Sequence, residues 1–408
     1  MKVPCYQCDT TTEVNVAFEV KNFVCPNCQS VYEYHNEGLR FRQKFTHPKL
    51  FDTLKIGQAG ILRGKKYVVV GLIVKRAYNI YFWKEYTLQG EKGEYIYLSE
   101  TSGHWILLER ITDKYDVKYH PRVLSHKGMS LDLFDYSDVQ IATAQGYFDF
   151  ELPQGNIRMN EYINPPYILS IEKIGGSSEA YFGEHISKSE VEKAFPGTSL
   201  PFKSGVGLVQ PFYVNVRQTV IIFCTVAILI LFSHIFIYAD QVKKEVMSET
   251  LLFSQNNSKE LVSKSFELKG GSAPMTVNVS SDVDNSWANV QVALINESTG
   301  EERYASKDIE YYHGYTEGEN WSEGSTNEEF NICGVPSGKY HITVTPQKAP
   351  EDLTNNQLRI KATWNDGSMR NIWMTILFMG ILSVVLFYGK YYFEKQRWAD
   401  SDNSPYSE

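Results

Sequence analysis

The feature that most constrains this chain of 408 residues is an uncharged apolar run at positions 219–238, TVIIFCTVAILILFSHIFIY. As a helix rising about 1.5 Å per residue it would be roughly 30 Å long, which matches the hydrocarbon core of a bilayer. A second run, IWMTILFMGILSVVLFY at 372–388, is followed by Lys390 and Tyr391, the kind of residues that anchor a span at the interface. The sequence therefore predicts two transmembrane helices and a lipid bilayer as partner. The alternative, two buried core helices, is weak for the first run and stronger for the second.

Basic residues beside the two runs do not decide their orientation, because the tally on the two sides is equal. The first twenty residues carry no signal peptide, so we expect the long segment before the first run to stay in the cytoplasm. The segment 241–369 holds nineteen acidic against eleven basic residues, and this difference of eight equals the net charge of −8 of the whole chain. We therefore expect both termini, including the tail 389–408, to be cytoplasmic and 241–369 to be extracytoplasmic.

Composition favours a folded, mostly β protein, since 43% of the residues are hydrophobic and the chain has 27 Tyr and 22 Phe. The net negative charge argues against nucleic acid as a partner, because such surfaces are normally basic.

The most specific motif is a pair of C-x-x-C sequences separated by sixteen residues, with Cys5, Cys8, Cys25 and Cys28. This spacing is typical of a tetrahedral zinc site. Because all four ligands come from the protein, the Zn²⁺ is expected to be structural, within a zinc ribbon at 1–45. The intervening residues alternate in the manner of a hairpin that would bring the two turns together. Two disulfides or a redox pair are the alternatives. Cys224 and Cys333 are expected to be packing residues.

Residues 50–200 are predicted to form an all-β barrel or sandwich, since short strands such as KKYVVVGLIVK alternate with turns. Only SKSEVEKAF is predicted to be helical, capped by Ser187 or Ser189. The pieces LKIGQAG, VVVG, WKEYTL, YLSETSGHW and EYINPPYILSIEK resemble a bacterial family known as domain of unknown function 4178.

The resemblance implies a bacterial membrane protein with an amino-terminal zinc ribbon. It also implies genomic proximity to spermidine-synthase-like, phage-shock-like and small membrane-protein genes, and thus a link to envelope stress. The expected location is the bacterial cytoplasmic (inner) membrane.

No spacing in this domain points to catalysis, and P-loop, dinucleotide, nucleophile-elbow and HExxH motifs are absent from the sequence. Six side chains have the chemistry for acid-base catalysis, but their spacing assigns none of them a catalytic role: Glu85, Glu100, His104, Glu109, Glu184 and His185.

The segment 241–369 is predicted to be a β-sandwich of seven or eight strands behind a polar linker. Its stretch at 310–325 breaks the alternation and combines carboxylates with aromatic rings, which favours a cation or a polyamine as ligand. The candidate ligand-binding residues are Glu310, His313, Glu317, Glu319, Trp321 and Glu323.

The sequence as a whole predicts a multidomain, mostly β protein with an N-terminal zinc ribbon, a cytoplasmic β-barrel or sandwich-like domain, and two transmembrane helices that flank an extracytoplasmic β-sandwich. The favoured function is that of a non-enzymatic two-span adaptor or sensor in membrane stress or envelope maintenance, with cytosolic or membrane protein partners and scope for self-association. The alternative is a membrane-anchored enzyme or ligand-binding component linked to polyamine metabolism.

Overall fold

A computed structural model describes residues 2–35, 38–45, 53–238, 243–365 and 369–406. The expected domain limits at 50 and 241 and the last two residues of the tail lie outside the described residues. The chain divides into two compact units, one formed by Met1–Thr219 with Ser383–Glu408 and the other by Val220–Leu382.

The described part of the first unit contains fifteen strands and the helix α1 (Lys188–Ala194). The strands are β1 (Lys2–Pro4), β2 (Thr11–Glu13), β3 (Asn22–Val24), β4 (Ser30–His35), β5 (Gly38–Lys44), β6 (Ala59–Leu62), β7 (Lys65–Ala77), β8 (Tyr81–Gly90), β9 (Tyr95–Thr101), β10 (His104–Ile111), β11 (Val123–His126), β12 (Met129–Phe148), β13 (Ile157–Asn164), β14 (Tyr167–Ile174) and β15 (Ser177–Ile186).

Eight of these strands close into an antiparallel barrel in the order β7, β8, β9, β10, β15, β14, β13 and β12. The long strand β12 closes the barrel, because its first half pairs with β13 and its second half pairs with β7. At Gly146, where β12 passes from β7 to β3, φ is +95° and an added Cβ would lie 2.2 Å from the Val70 carbonyl oxygen. Only glycine fits this close approach.

The outer face of the barrel is apolar and covered. Tyr86 and Trp105 stack on each other with ring centroids 6.0 Å apart and lie under α1 and Phe195. The helix begins at Ser187, whose hydroxyl accepts a hydrogen bond from the Glu190 N–H at 3.1 Å, which decides between the two predicted caps.

The segment expected to form a separate zinc ribbon shares a sheet with the barrel, because β3 pairs with β12 and extends the sheet through β4 and β5. The hairpin expected between the two C-x-x-C pairs is not formed. Instead, β1 pairs with β2 and β3 pairs with β4, so each pair lies in the turn of its own hairpin.

The described part of the second unit contains the short helix α3 (Phe253–Asn256) and ten strands in two antiparallel sheets. The strands are β16 (Lys244–Leu252), β17 (Leu261–Val262), β18 (Phe266–Leu268), β19 (Ala273–Ser281), β20 (Ser286–Asn296), β21 (Glu302–Thr316), β22 (Glu319–Gly324), β23 (Asn327–Val335), β24 (Gly338–Lys348) and β25 (Gln357–Trp364). One sheet has the order β16-β25-β19-β23 and the other β17-β24-β20-β21-β22, with β18 also on β24. The alternating side chains of both sheets form one apolar core.

Two helices contain the predicted spans, α2 (Val216–Tyr238) and α4 (Arg370–Arg397). Both are long and apolar enough to cross a membrane, and none of the residues in their most apolar windows is buried. In the described structure these windows are not packed as core helices are.

Candidate metal centre and polar barrel interior

The two C-x-x-C turns have nearly the same backbone. The Asp9 N–H donates to the Cys5 carbonyl at 2.9 Å, and the Gln29 N–H donates to the Cys25 carbonyl at 2.9 Å. Asp9 and Gln29 both have positive φ, 55° and 62°. The repeated turn directs two sulfurs of each hairpin toward one centre.

The four sulfurs lie within 4.8 Å of one another, with Cys5 to Cys28 at 3.5 Å and Cys8 to Cys25 at 3.7 Å. A tetrahedral zinc site with Zn–S bonds of about 2.3 Å would place its sulfurs about 3.8 Å apart. The donor set therefore fits a four-coordinate metal ion. Within the described ranges, these cysteines are the only group of three or more such side chains close enough to hold one.

Three hydroxyl groups that were not among the predicted site residues contact these sulfurs. Tyr32 Oη lies 3.2 Å from Cys5 Sγ, Thr10 Oγ1 lies 3.4 Å from Cys8 Sγ, and Ser30 Oγ lies 3.2 Å from Cys28 Sγ. Hydroxyls that donate to thiolates orient the ligands and stabilise their charge. The signal in the sequence was the repeat C-x-x-C-x-[TS], in which Thr10 and Ser30 hold equivalent positions.

The electrostatics of the cysteines differ across the cluster. The hydrogen bond with the Thr10 side chain lowers the pKa of Cys8 to about 6, whereas burial raises the pKa of Cys25 to about 12. A buried thiol of this kind becomes a thiolate when a divalent cation binds it.

The six acid-base candidates do not form one site, although His104 and His185 lie near enough for their charges to interact. His104 is 6% exposed and its Nε2 lies 3.1 Å from the Ser204 carbonyl oxygen. Burial, with the nearby Lys203, lowers the pKa of His185 to about 4. Glu100 accepts from Lys84 at 2.8 Å, Glu184 pairs with Arg63, and Glu109 is exposed. Among the described residues no hydrogen bond joins two of the six.

Glu85 instead belongs to a charged cluster that crosses the barrel. Lys75 Nζ on β7 lies 2.7 Å from Glu85 Oε2 on β8 and 2.6 Å from Glu172 Oε1 on β14. Because β7 and β14 are not neighbouring strands, these side chains must point into the barrel. Burial alone would lower the pKa of Lys75, but the two carboxylates outweigh it and hold the pKa above its usual value.

A third carboxyl, Glu161 on β13, faces the same interior. Burial, reinforced by the charges of Asp135 and Glu85, raises the pKa of Glu161 to about 8. No sequence pattern predicts this cluster, since charged residues in strands, such as Lys75, Glu85 and Glu172, are ordinarily expected to be exposed to solvent.

The candidate ligand residues of the second unit lie on the exposed hairpin of β21 and β22. The register places Glu310, Glu319, Trp321 and Glu323 on one face and His313 on the other, while Glu317 has φ of 55° in the turn. His313 Nε2 is 2.7 Å from Asp284 Oδ1. The structure therefore does not bring all six side chains to one point.

In the comparisons with known proteins, one family model matches part of this chain. Residues 55–188 match the model of the domain of unknown function DUF4178. No curated protein matches the chain. Among solved structures, PNGF-II has 7% identity over 73% of this chain and 67% of its own, with a TM-score of 0.20. Infectious bursal disease virus, Gt strain, has 8% identity over 85% and 67%, with a TM-score of 0.18.

Proposed function

We propose that this protein is a non-enzymatic two-span protein of the bacterial cytoplasmic membrane that acts as an adaptor or sensor in envelope maintenance. In this proposal the metal-stabilised barrel unit contacts partners in the cytoplasm and the sandwich unit faces outward. The observation that carries the proposal is a contact between the residues just before α2 and the end of α4.

The side chain of Arg397, at the end of α4, is fully buried and holds the chain just before α2. Its guanidinium donates to the carbonyl oxygens of Gly207 at 2.6 Å and Leu208 at 2.8 Å, and also to that of Gln210. The Phe393 ring lies 5.4 Å from the Phe212 ring. Such a multiply hydrogen-bonded arginine fixes the two segments against each other.

The residues after α4 continue this contact along the barrel. Trp398 is 5% exposed and packs with Leu108, Ile163 and Ile168. The Phe134 carbonyl, left unpaired by a bulge in β12, accepts from Ser401 and, at 3.3 Å, from Asn403. The tail thus belongs to the barrel unit.

If α2 and α4 both cross the bilayer, this contact requires that they begin and end on the same side. Residues before α2 and after α4 would then share one compartment, and 243–365 would lie in the other. Thiolates that bind zinc favour the reducing cytoplasm for the barrel unit.

An adaptor differs from an enzyme in tolerating loss of its acid-base groups. In a strain that lacks the gene and is sensitised to membrane stress, we expect His104→Gln and His185→Gln to restore growth as the unaltered protein does. Cys25→Ser is expected to fail, because the metal centre supports the unit. Failure of either histidine variant, with its metal content and folding intact, would favour the enzyme alternative.

A further inference from the structure

The barrel interior contains a polar layer between two apolar clusters. Along β13 the inward side chains are Met159, Glu161 and Ile163, and along β14 they run from Ile168 through Ser170 and Glu172 to Ile174. Met159 packs in one apolar cluster and Ile163 in the other. Narrow eight-stranded barrels are usually filled by side chains, and polar groups inside them cost stability unless they are matched.

The charges of this layer do not balance. One ammonium, Lys75, is shared by the carboxylates of Glu85 and Glu172, while Glu161 has no hydrogen-bonded cation within the described part of the chain. Two carboxylates against one ammonium already make the layer acidic, and ionisation of Glu161 adds a further negative charge. Anions are disfavoured there, and a cation is favoured.

A second, independent feature lies beside Glu161. Ser170 is 4% exposed, and in the described structure its Oγ has no hydrogen-bond partner. The register places Ser170 directly opposite Glu161 on β13 and Tyr181 on β15, so the three side chains share one face. Buried hydroxyl groups normally make hydrogen bonds. An unbonded hydroxyl next to a carboxyl without a cation could therefore accept a hydrogen bond from a ligand.

The surroundings define the kind of cation. Glu161 is partly buried on the inward face of β13, between the buried Asn160 and Tyr162. Tyr97 and Tyr181, with ring centroids 5.3 Å apart, lie on the same interior. The carboxylates of the layer are not gathered closely enough to form a metal site, since in the described ranges only the four cysteines meet that condition.

We propose that this layer is a binding site for a small primary amine in its ammonium form, with the ammonium N–H groups donating to the Glu161 carboxylate and to Ser170 Oγ. The charge of the ammonium offsets the excess of carboxylates, and the tyrosine rings contact its alkyl part. This inference does not depend on the adaptor role.

Binding of the ammonium requires Glu161 to be ionised, so the cation competes with a proton. The charged groups that face Glu161 are Asp135 from β12, Glu85 from β8, Lys75 from β7 and Glu172 from β14. Burial, together with the net negative charge of these groups, raises the pKa of Glu161 to about 8, and the negative charge favours replacement of the proton by a cation.

The test uses the full chain with its metal in detergent micelles and methylammonium chloride as the probe. Sodium chloride and tetramethylammonium chloride at equal ionic strength are the controls, because neither cation can donate a hydrogen bond. Methylammonium is expected to raise the temperature midpoint of unfolding. Because its binding displaces one proton from Glu161, the methylammonium concentration that gives half of the effect should fall about tenfold from pH 6 to pH 7.

Glu161→Gln should abolish the response, Glu161→Asp and Ser170→Ala should weaken it several-fold, and the exposed Glu151→Gln should leave it unchanged. Metal content and circular dichroism identify any variant that fails to fold. If Glu161→Gln does not fold, the weaker response of Glu161→Asp is used as the test instead. Equal effects of sodium and methylammonium, no response at all, or a full response in Glu161→Gln would each overturn the proposal.

Discussion

The Glu161 carboxyl should make the barrel unit less stable as pH rises. The pKa of Glu161 is raised by burial from 4.5 to about 8 in the folded state. Between these two values the folded protein binds a proton that the unfolded chain has lost, so stability falls with increasing pH. One pKa unit corresponds to about 1.4 kcal/mol, which gives a loss of about 3 kcal/mol between pH 5 and pH 7 and a limit of about 5 kcal/mol above pH 8.

Glu161→Gln removes this titration while keeping the shape of the side chain. We therefore expect the variant to exceed the unaltered protein in stability by an amount that grows with pH, with the two nearly equal near pH 4.5. Comparing the two proteins at each pH cancels the contributions of other groups, including His185, whose lowered pKa acts in the opposite direction.

The assay is urea unfolding of the full chain in detergent micelles at several pH values. Tryptophan fluorescence follows unfolding, and a zinc-sensitive dye identifies the transition of the barrel unit by the simultaneous release of metal. If the difference between the two proteins does not change with pH, Glu161 is not a buried carboxyl with a raised pKa, and the polar layer is wrongly described.

Three further predictions concern the metal centre, the tail and the ion cluster. Cys25→Ser should abolish stoichiometric zinc binding in metal analysis, and retained zinc would contradict the four-cysteine site. The loss of metal should remove stabilisation of order 10 kcal/mol from the hairpins β1–β2 and β3–β4, measured as a loss of hydrogen-exchange protection. Arg397→Ala should leave buried carbonyls unpaired, cost about 2–4 kcal/mol and expose 398–406 to protease, whereas equal protease resistance would show that the arginine does not hold the tail. Lys75→Met should lower the free energy of unfolding, measured in urea, by about 3–5 kcal/mol, because it leaves the Glu85 and Glu172 carboxylates without their cation. Adding Glu172→Gln should recover part of this loss, and no recovery would refute repulsion between the two carboxylates.

Much of the organisation was predictable because local patterns determine it. An uncharged apolar run of this length predicts a helix long enough to cross a membrane, and the structure has two such helices. Two C-x-x-C pairs at this spacing predict a four-sulfur cluster, which the structure brings together. A serine cap was predictable, with Ser187 and Ser189 as candidates, because a cap hydroxyl needs only a backbone N–H a few residues later; the structure has Ser187 paired with the Glu190 N–H.

The polar layer was not predictable, because it depends on strand closure. Lys75 meets Glu172 only when β12 pairs with both β13 and β7, and this pairing joins residues far apart in sequence. The docking of Arg397 was missed for the same reason, since its acceptors are backbone carbonyls about 190 residues earlier. The prediction of a hairpin between the cysteine pairs was wrong. Strand β3 pairs with β4 and β12, and β2 pairs with β1, so β2 and β3 do not pair with each other.

The central claim is that the barrel unit and the tail share one side of the membrane and the sandwich lies on the other. Cys333 is exposed in the sandwich unit, and Ser189→Cys would place an exposed thiol on α1. A membrane-impermeant maleimide applied to intact cells is predicted to label Cys333 at once and Ser189→Cys only after permeabilisation, with Cys333→Ser as the control for the first signal. Labelling of Ser189→Cys in intact cells while Cys333 stays protected would contradict the account.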